Sequence, residues 1–281
     1  MDVYHRASEI HNVIAQYGKD GKSIGFVPTM GALHEGHLSL IRYCLQDNDV
    51  SVASIFVNPT QFNRLSDFEH YPRDLNGDLN DLSRAGIDIV FNPSEEEIYP
   101  EKDERLFDFG YLDQIMEGKY RPGHFNGVAQ VVSRLFAIVQ PHKAYFGEKD
   151  YQQLVIIRKL TRQLKMNIDI VACPIVREPD GLAKSSRNNR LTPVQREHAA
   201  HISKILFAGI EKAGTYAVEE LKTWAQEQLN RDPYIRVEYL EIMDDRTLKP
   251  VQQWDDTYYK RAFVAAWVGD VRLIDNVKYY F

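Results

Sequence analysis

His34 and His37 stand three residues apart in the run Pro28-Thr29-Met30-Gly31-Ala32-Leu33-His34-Glu35-Gly36-His37. An apolar stretch, Ser23 to Val27, leads into this run, and an amphipathic one, Leu38 to Leu45, follows it. That order reads as strand, glycine-bearing loop, helix. The first turn of a helix presents unpaired backbone N–H groups and a partial positive charge. Two imidazole donors added there suit a polyphosphate. The same residues support two other readings. The spacing puts both rings on one helical face as a metal pair, although such a site wants a third ligand, and zincin spacing is four rather than three. A helix cap with surface imidazoles is the plain alternative.

Other loops carry compatible chemistry. Val57-Asn58-Pro59-Thr60-Gln61-Phe62-Asn63 reads as a turn, yet Gln61 and Asn63 offer amides suited to a small hydroxylated acid. Arg121-Pro122-Gly123-His124-Phe125-Asn126-Gly127 leads into a helix, and its two glycines permit close backbone approach. Phe146-Gly147-Glu148-Lys149-Asp150 joins a strand to a helix. Lys149 is either a solvated lysine or a cation for a transferring phosphoryl group. Asp150 either caps the helix beginning at Tyr151 or accepts ribose hydroxyls. Asp180 to Asn188 reads either as a solvated loop or as a phosphate clip whose donors are Lys184, Ser185 and Arg187.

These loops need elements to hold them. Strand-like runs fall at 24–27, 50–57, 87–91, 144–146 and 168–173, alternating with helical patterns near 6–17, after His37, and at 75–85, 128–139 and 151–164. Gly86 offers a C-terminal stop for the 75–85 helix, and Pro141 ends the 128–139 helix. Strands separated by helices predict a parallel sheet covered on both faces, with ligands beyond the carboxyl ends of the strands. After about Val176 the pattern changes. Helices at 193–213 and 217–230 precede antiparallel-looking strands at 235–243, 261–268 and 271–276, with a turn at Gly269-Asp270. This reads as a smaller α+β domain.

Composition is that of an ordinary soluble enzyme: 281 residues, 44% hydrophobic and 26% charged. A formal net charge of -6 argues against broad binding to nucleic acid or anionic membranes. The two cysteines, Cys44 and Cys173, lie in apolar runs and predict buried reduced thiols. The first residues lack a signal-peptide layout, and no run is long and apolar enough to span a bilayer, so a cytoplasmic location is the default expectation.

Taken together, these segments resemble the pantothenate synthetase (pantoate–β-alanine ligase) family over nearly the whole chain. The resemblance rests on Pro28 to His37, Phe56 to Phe62, Tyr71-Pro72-Arg73, Arg121 to Gly127, Phe146 to Gln153, Asp180 to Asn188 and Val268 to Asn276, in the family's order. It implies a Rossmann-like α/β fold of the nucleotidyltransferase type. An ATP- and pantoate-binding domain would span 1–175 and a smaller C-terminal α+β lid domain 176–281. The implied reaction condenses pantoate with β-alanine at the expense of ATP, giving pantothenate, AMP and pyrophosphate through a pantoyl adenylate, on the way to coenzyme A. The implied partners are ATP, pantoate, β-alanine and a second copy of the chain, with Mg2+ beside ATP. By the same resemblance His34, His37, Lys149 and Arg187 are catalytic. Met30, Gly147, Asp150, Val176, Lys184, Ser185 and Ser186 join them around ATP. Gln61 and Gln153 hold pantoate, and Asp78 matches a residue associated with magnesium. Where the family generally carries an apolar residue, often Met, this chain has Lys184, which adds a phosphate contact or points into solvent.

Overall fold

The β-branched run Val50–Ile55 is buried at every position, as a strand covered on both faces must be. In the computed structural model, which describes residues 1–63 and 65–280, it is one of six parallel strands. These are β1 (Asp2–Tyr4), β2 (Ile24–Thr29), β3 (Val50–Ile55), β4 (Ile89–Phe91), β5 (Lys143–Gly147) and β6 (Asp169–Cys173), in the order β1-β4-β3-β2-β5-β6. Alternation along β2 sends Val27 to one face, where it meets Ile41, Cys44 and Leu82 of helices Glu35–Asp47 and Leu75–Ala85. Phe26 points to the other face and meets Phe136 of helix His124–Val139 edge-on at 6.3 Å. Cys44 and Cys173 are free, buried thiols in the first of these layers, and burial pushes both thiols up to about 12.

Local chemistry sets the helix ends. Asp74 accepts the Gly77 N–H and starts helix Leu75–Ala85; Gly86, at φ 87°, stops it. The Ile87 N–H then bonds back to the Leu82 carbonyl at 3.2 Å. That return bond is why the strand expected from Ile87 begins only at Ile89. The edge strand β1 has no counterpart in the sequence reading, because three residues are too few to show a period.

The chain divides into two compact units, Met1–Pro174 and Ile175–Phe281. The second holds helices Pro193–Ala199, His201–Lys212 and Val218–Asn230 and an antiparallel sheet, β7 (Ile235–Asp244), β8 (Lys260–Val268) and β9 (Val271–Lys278). The turn between β8 and β9 falls at Gly269-Asp270 as expected, with Gly269 at φ 57°. The single helix read at 193–213 is two, divided at Ala200. The core of this unit includes Ile202, Leu206, Leu221, Leu229, Leu240 and Val264.

Candidate active site

The strand order fixes where a ligand can sit in the first unit. From β2 the chain proceeds to β3 on one side, whereas from β5 it proceeds to β6 on the other, and β2 pairs directly with β5. The loops leaving β2 and β5 therefore diverge at their carboxyl ends and leave a crevice. Met30 to His34 come from the first loop and Glu148 to Asp150 from the second.

The β2 loop is wound tightly. Gly31 has φ 77° and Ala32 φ 50°. Asp78, 4% exposed in the first turn of helix Leu75–Ala85, accepts the Ala32 N–H at 2.9 Å and the Leu33 N–H at 2.7 Å. A Cβ at residue 31 would lie 2.7 Å from Asp78 Oδ2, so the position requires glycine twice over. Burial raises the Asp78 carboxyl while the two N–H donors pull it back. Asp78→Ala strands both donors and is expected to cost about 2–4 kcal/mol of stability, read by urea unfolding. A loss below about 0.5 kcal/mol would mean that the loop does not depend on this carboxylate.

The loop delivers two rings to the head of helix Glu35–Asp47. His34 is the N-cap, and its Nδ1 accepts the Gly36 N–H at 3.1 Å. His37 Nδ1 accepts the His34 N–H at 3.3 Å. A backbone N–H only donates, so each Nδ1 holds a lone pair and each ring carries its proton on Nε2. The rings lie 4.1 Å apart, tilted by 31°. Burial first, then His34, then the Lys149 charge push His37 down to about 3. The result is a pair of neutral Nε2–H donors. The ordinary value is 6.5, so this group weakens the fold as pH falls from there towards about 3, where the unfolded chain binds a proton that the folded one refuses. An NMR titration is expected to show the His37 ring neutral down to about pH 4. An inflection near 6.5 would contradict this environment.

Lys149 arrives from the β5 loop with its side chain 18% exposed, its Nζ 3.6 Å from Asp150 Oδ2. Asp150 occupies the N-cap of helix Tyr151–Gln163 but makes no side-chain cap bond, and its side chain is half exposed. Gly147 closes β5 with open space where a Cβ would lie.

Gln61 is buried in the 3-10 turn Pro59–Gln61 beyond β3, its Nε2 2.9 Å from Met30 Sδ. Its amide orientation is fixed from behind. Tyr99 Oη donates to Asn58 Oδ1 at 2.8 Å, which leaves Asn58 Nδ2 to donate to Gln61 Oε1 at 3.2 Å and to the Gly127 carbonyl at 3.1 Å. His124 Nδ1 lies 2.9 Å from the Gln61 carbonyl and must donate to it. On helix Tyr151–Gln163 the buried Gln152 is spent on the Glu117 N–H and the Leu112 and Ile115 carbonyls, whereas Gln153 is only partly buried.

The remaining expected residues lie in the second unit. A short hairpin bridges Arg177 to Ala183 and turns at Gly181, φ 96°. Arg177 holds it to β9 through two bonds to Asp275, at 2.7 and 2.9 Å. The Val176 carbonyl accepts the Lys184 N–H. Lys184 Nζ pairs with Glu178 Oε2 at 3.0 Å across the hairpin, a third arrangement beside the two its sequence suggested. Ser185 Oγ accepts the Arg187 N–H and caps the 3-10 turn Ser186–Arg190. Ser186 is buried; Arg187 is partly exposed.

A family model described as pantoate-beta-alanine ligase matches residues 2–278. The chain belongs to the pantoate–β-alanine ligase family. As such a ligase it joins pantoate to β-alanine and forms pantothenate. It is 49% identical over 279 residues to a pantothenate synthetase of Bacteroides fragilis (strain YCH46), covering 99% of each chain. Among solved structures it is similar to pantothenate synthetase from Thermus thermophilus, at 43% identity, TM-score 0.94 and full coverage of both chains. It is also similar to a pantoate–β-alanine ligase from Francisella tularensis complexed with beta-gamma ATP and β-alanine, at 38% identity and TM-score 0.84, covering 99% of this chain and 98% of that one.

Within this ligase the sequence reading missed the groups that lie behind Gln61. Asn58 reads as a turn residue and Tyr99 as nothing in particular, since their contact spans 41 residues. Asp78, for which the resemblance implies a magnesium role, is buried, and each of its oxygens accepts one backbone N–H. Among the described residues no helix is long and apolar enough to cross a membrane.

Proposed function

We propose that the ligation runs through pantoyl adenylate formed in the crevice between the β2 and β5 loops. The observation that carries this reading is that β2 pairs directly with β5, so the loops bearing His34, His37 and Lys149 leave neighbouring strands at their carboxyl ends. A pantoate carboxylate oxygen attacks the α-phosphorus of ATP, the bond to the β-phosphate oxygen breaks, and pyrophosphate leaves. Two anions must meet, and fixed donors lower that repulsion. His34 and His37 donate Nε2–H bonds to phosphate oxygens, and Lys149 supplies the positive charge. Gln61 and Gln153 hold pantoate by its hydroxyl and carboxylate, which makes the encounter intramolecular. The β-alanine nitrogen then attacks the acyl carbon, loses a proton and expels AMP. Neither step needs a nucleophilic serine or cysteine.

In this reading Gly147, Asp150, Met30 and Val176 line the nucleotide site. Ser185, Ser186 and Arg187 serve as donors to its phosphates, and exclusion of water protects the mixed anhydride. Lys184 serves these donors through its bond to Glu178. Magnesium is the nucleotide's counter-ion, held by phosphate and solvent rather than by Asp78. The F. tularensis relative, complexed with beta-gamma ATP and β-alanine, supports the choice of these substrates. We further propose a homodimer in the cytoplasm. The test omits β-alanine: ATP and pantoate are expected to give enzyme-bound pantoyl adenylate and pyrophosphate, and adding β-alanine to release pantothenate and AMP. ADP as the product would overturn the reading.

A further inference from the structure

Away from the crevice, in the second unit, two more histidines share a spacing of three. His198 lies in the last turn of helix Pro193–Ala199 and His201 opens helix His201–Lys212. Ala200 between them keeps right-handed helical angles, φ -65° and ψ -19°, so both rings face one side. They converge on a single atom. Asp232 Oδ2 lies 2.7 Å from His198 Nδ1 and 2.6 Å from His201 Nδ1. The carboxylate is 6% exposed, and its other oxygen is held by the Tyr234 N–H at 3.0 Å. The Tyr234 ring lies 4.5 Å from that of His198 and walls one side. The His201 side chain is 46% exposed and leaves the cluster open to solvent. Among the described residues this is the one group of three histidine, cysteine or acidic side chains whose ligand atoms all lie within 4.8 Å of one another.

We propose that His198, His201 and Asp232 form a binding site for a divalent transition ion of the zinc class. Two imidazole nitrogens and one carboxylate oxygen are donors of the right kind, and water completes a tetrahedron on the open His201 side. Metal–ligand bonds of about 2.0–2.2 Å set neighbouring donors roughly 3.4 Å apart, so each histidine–aspartate distance opens by less than about 1 Å. An Nδ1 that holds the ion cannot hold a proton, so on binding each ring's remaining proton sits on Nε2. The ion replaces two hydrogen bonds with a staple joining the start of helix His201–Lys212 to the turn after helix Val218–Asn230.

The test is calorimetric titration of EDTA-stripped protein with Zn2+, alongside thermal unfolding. The wild-type chain is expected to bind at least one equivalent, and saturating Zn2+ to raise Tm by about 5 °C. The double variant His198→Asn/His201→Asn is expected to bind one equivalent fewer and to lose that Tm increment. Asp232→Asn keeps an oxygen that accepts both imidazole N–H bonds but is a poorer ligand. With its NH2 set against the Tyr234 N–H it is expected to fold with a lower Tm than the wild type, and to bind this equivalent at least about 10-fold more weakly. Unchanged stoichiometry in the double variant, or unchanged affinity in Asp232→Asn, would overturn the site and leave a hydrogen-bonded His–Asp–His cluster.

Discussion

Lys149→Ala is expected to slow adenylate formation by about 10²–10³-fold, the usual loss when a preorganised charge at a phosphoryl centre is removed. The fold is expected to survive, because Lys149 lies in the short 3-10 turn Glu148–Asp150 and its ion pair with Asp150 is 3.6 Å long and partly exposed. The defect falls on kcat of the first half-reaction, measured by pyrophosphate release without β-alanine. A second consequence separates this role from a structural one. Lys149 is among the causes that hold His37 low, after burial and His34, so its removal moves the His37 titration upward. Lys149→Arg keeps the charge but not the point geometry and restores only part of the rate. Wild-type adenylate yield in Lys149→Ala would remove this residue from the mechanism.

Gly127→Ala is expected to be the most damaging change to the acid pocket. A Cβ there would lie 2.3 Å from the Thr60 carbonyl oxygen, 2.6 Å from its carbon and 2.8 Å from Gln61 Cα. All three are backbone atoms, so no rotamer relieves the overlap, and the helix must part from the 3-10 turn. The turn carries Gln61, and the Gly127 carbonyl is one of the two acceptors that orient Asn58 behind it. Stability is expected to fall by about 1–3 kcal/mol. KM for pantoate rises about 10–100-fold while KM for ATP stays within about 2-fold, since the imidazole loop hangs on β2 and Asp78 instead. Equal losses for both substrates would show a general disruption rather than a defect in the acid pocket.

Much of this is legible locally. Helix Leu75–Ala85 can be read at both bounds because its apolar spacing ends at a glycine that the C-cap needs. The imidazole pair is legible as a helix head, although in sequence alone capping and phosphate binding compete for it. In the structure capping uses Nδ1 of each ring, so capping and phosphate binding draw on different nitrogens. What stays hidden depends on distant pairing. Nothing local states that β5 lies beside β2, yet that adjacency makes the crevice. Asp78 reads as one more acid in a first helical turn, and only a contact 45 residues back reveals it as the anchor of the loop. Lys184 meets Glu178 only because Gly181 folds the hairpin between them.

The central claim is that ATP's α-phosphorus takes an oxygen from pantoate in a crevice lined by neutral imidazoles and Lys149. The most direct measurement is a single turnover with pantoate labelled with ¹⁸O in its carboxylate, followed by mass analysis of the nucleotide. The account predicts one labelled oxygen in the AMP phosphate and none in pyrophosphate. Label in inorganic phosphate, with ADP as the nucleotide, would mean an acyl phosphate in place of the adenylate and would contradict the account.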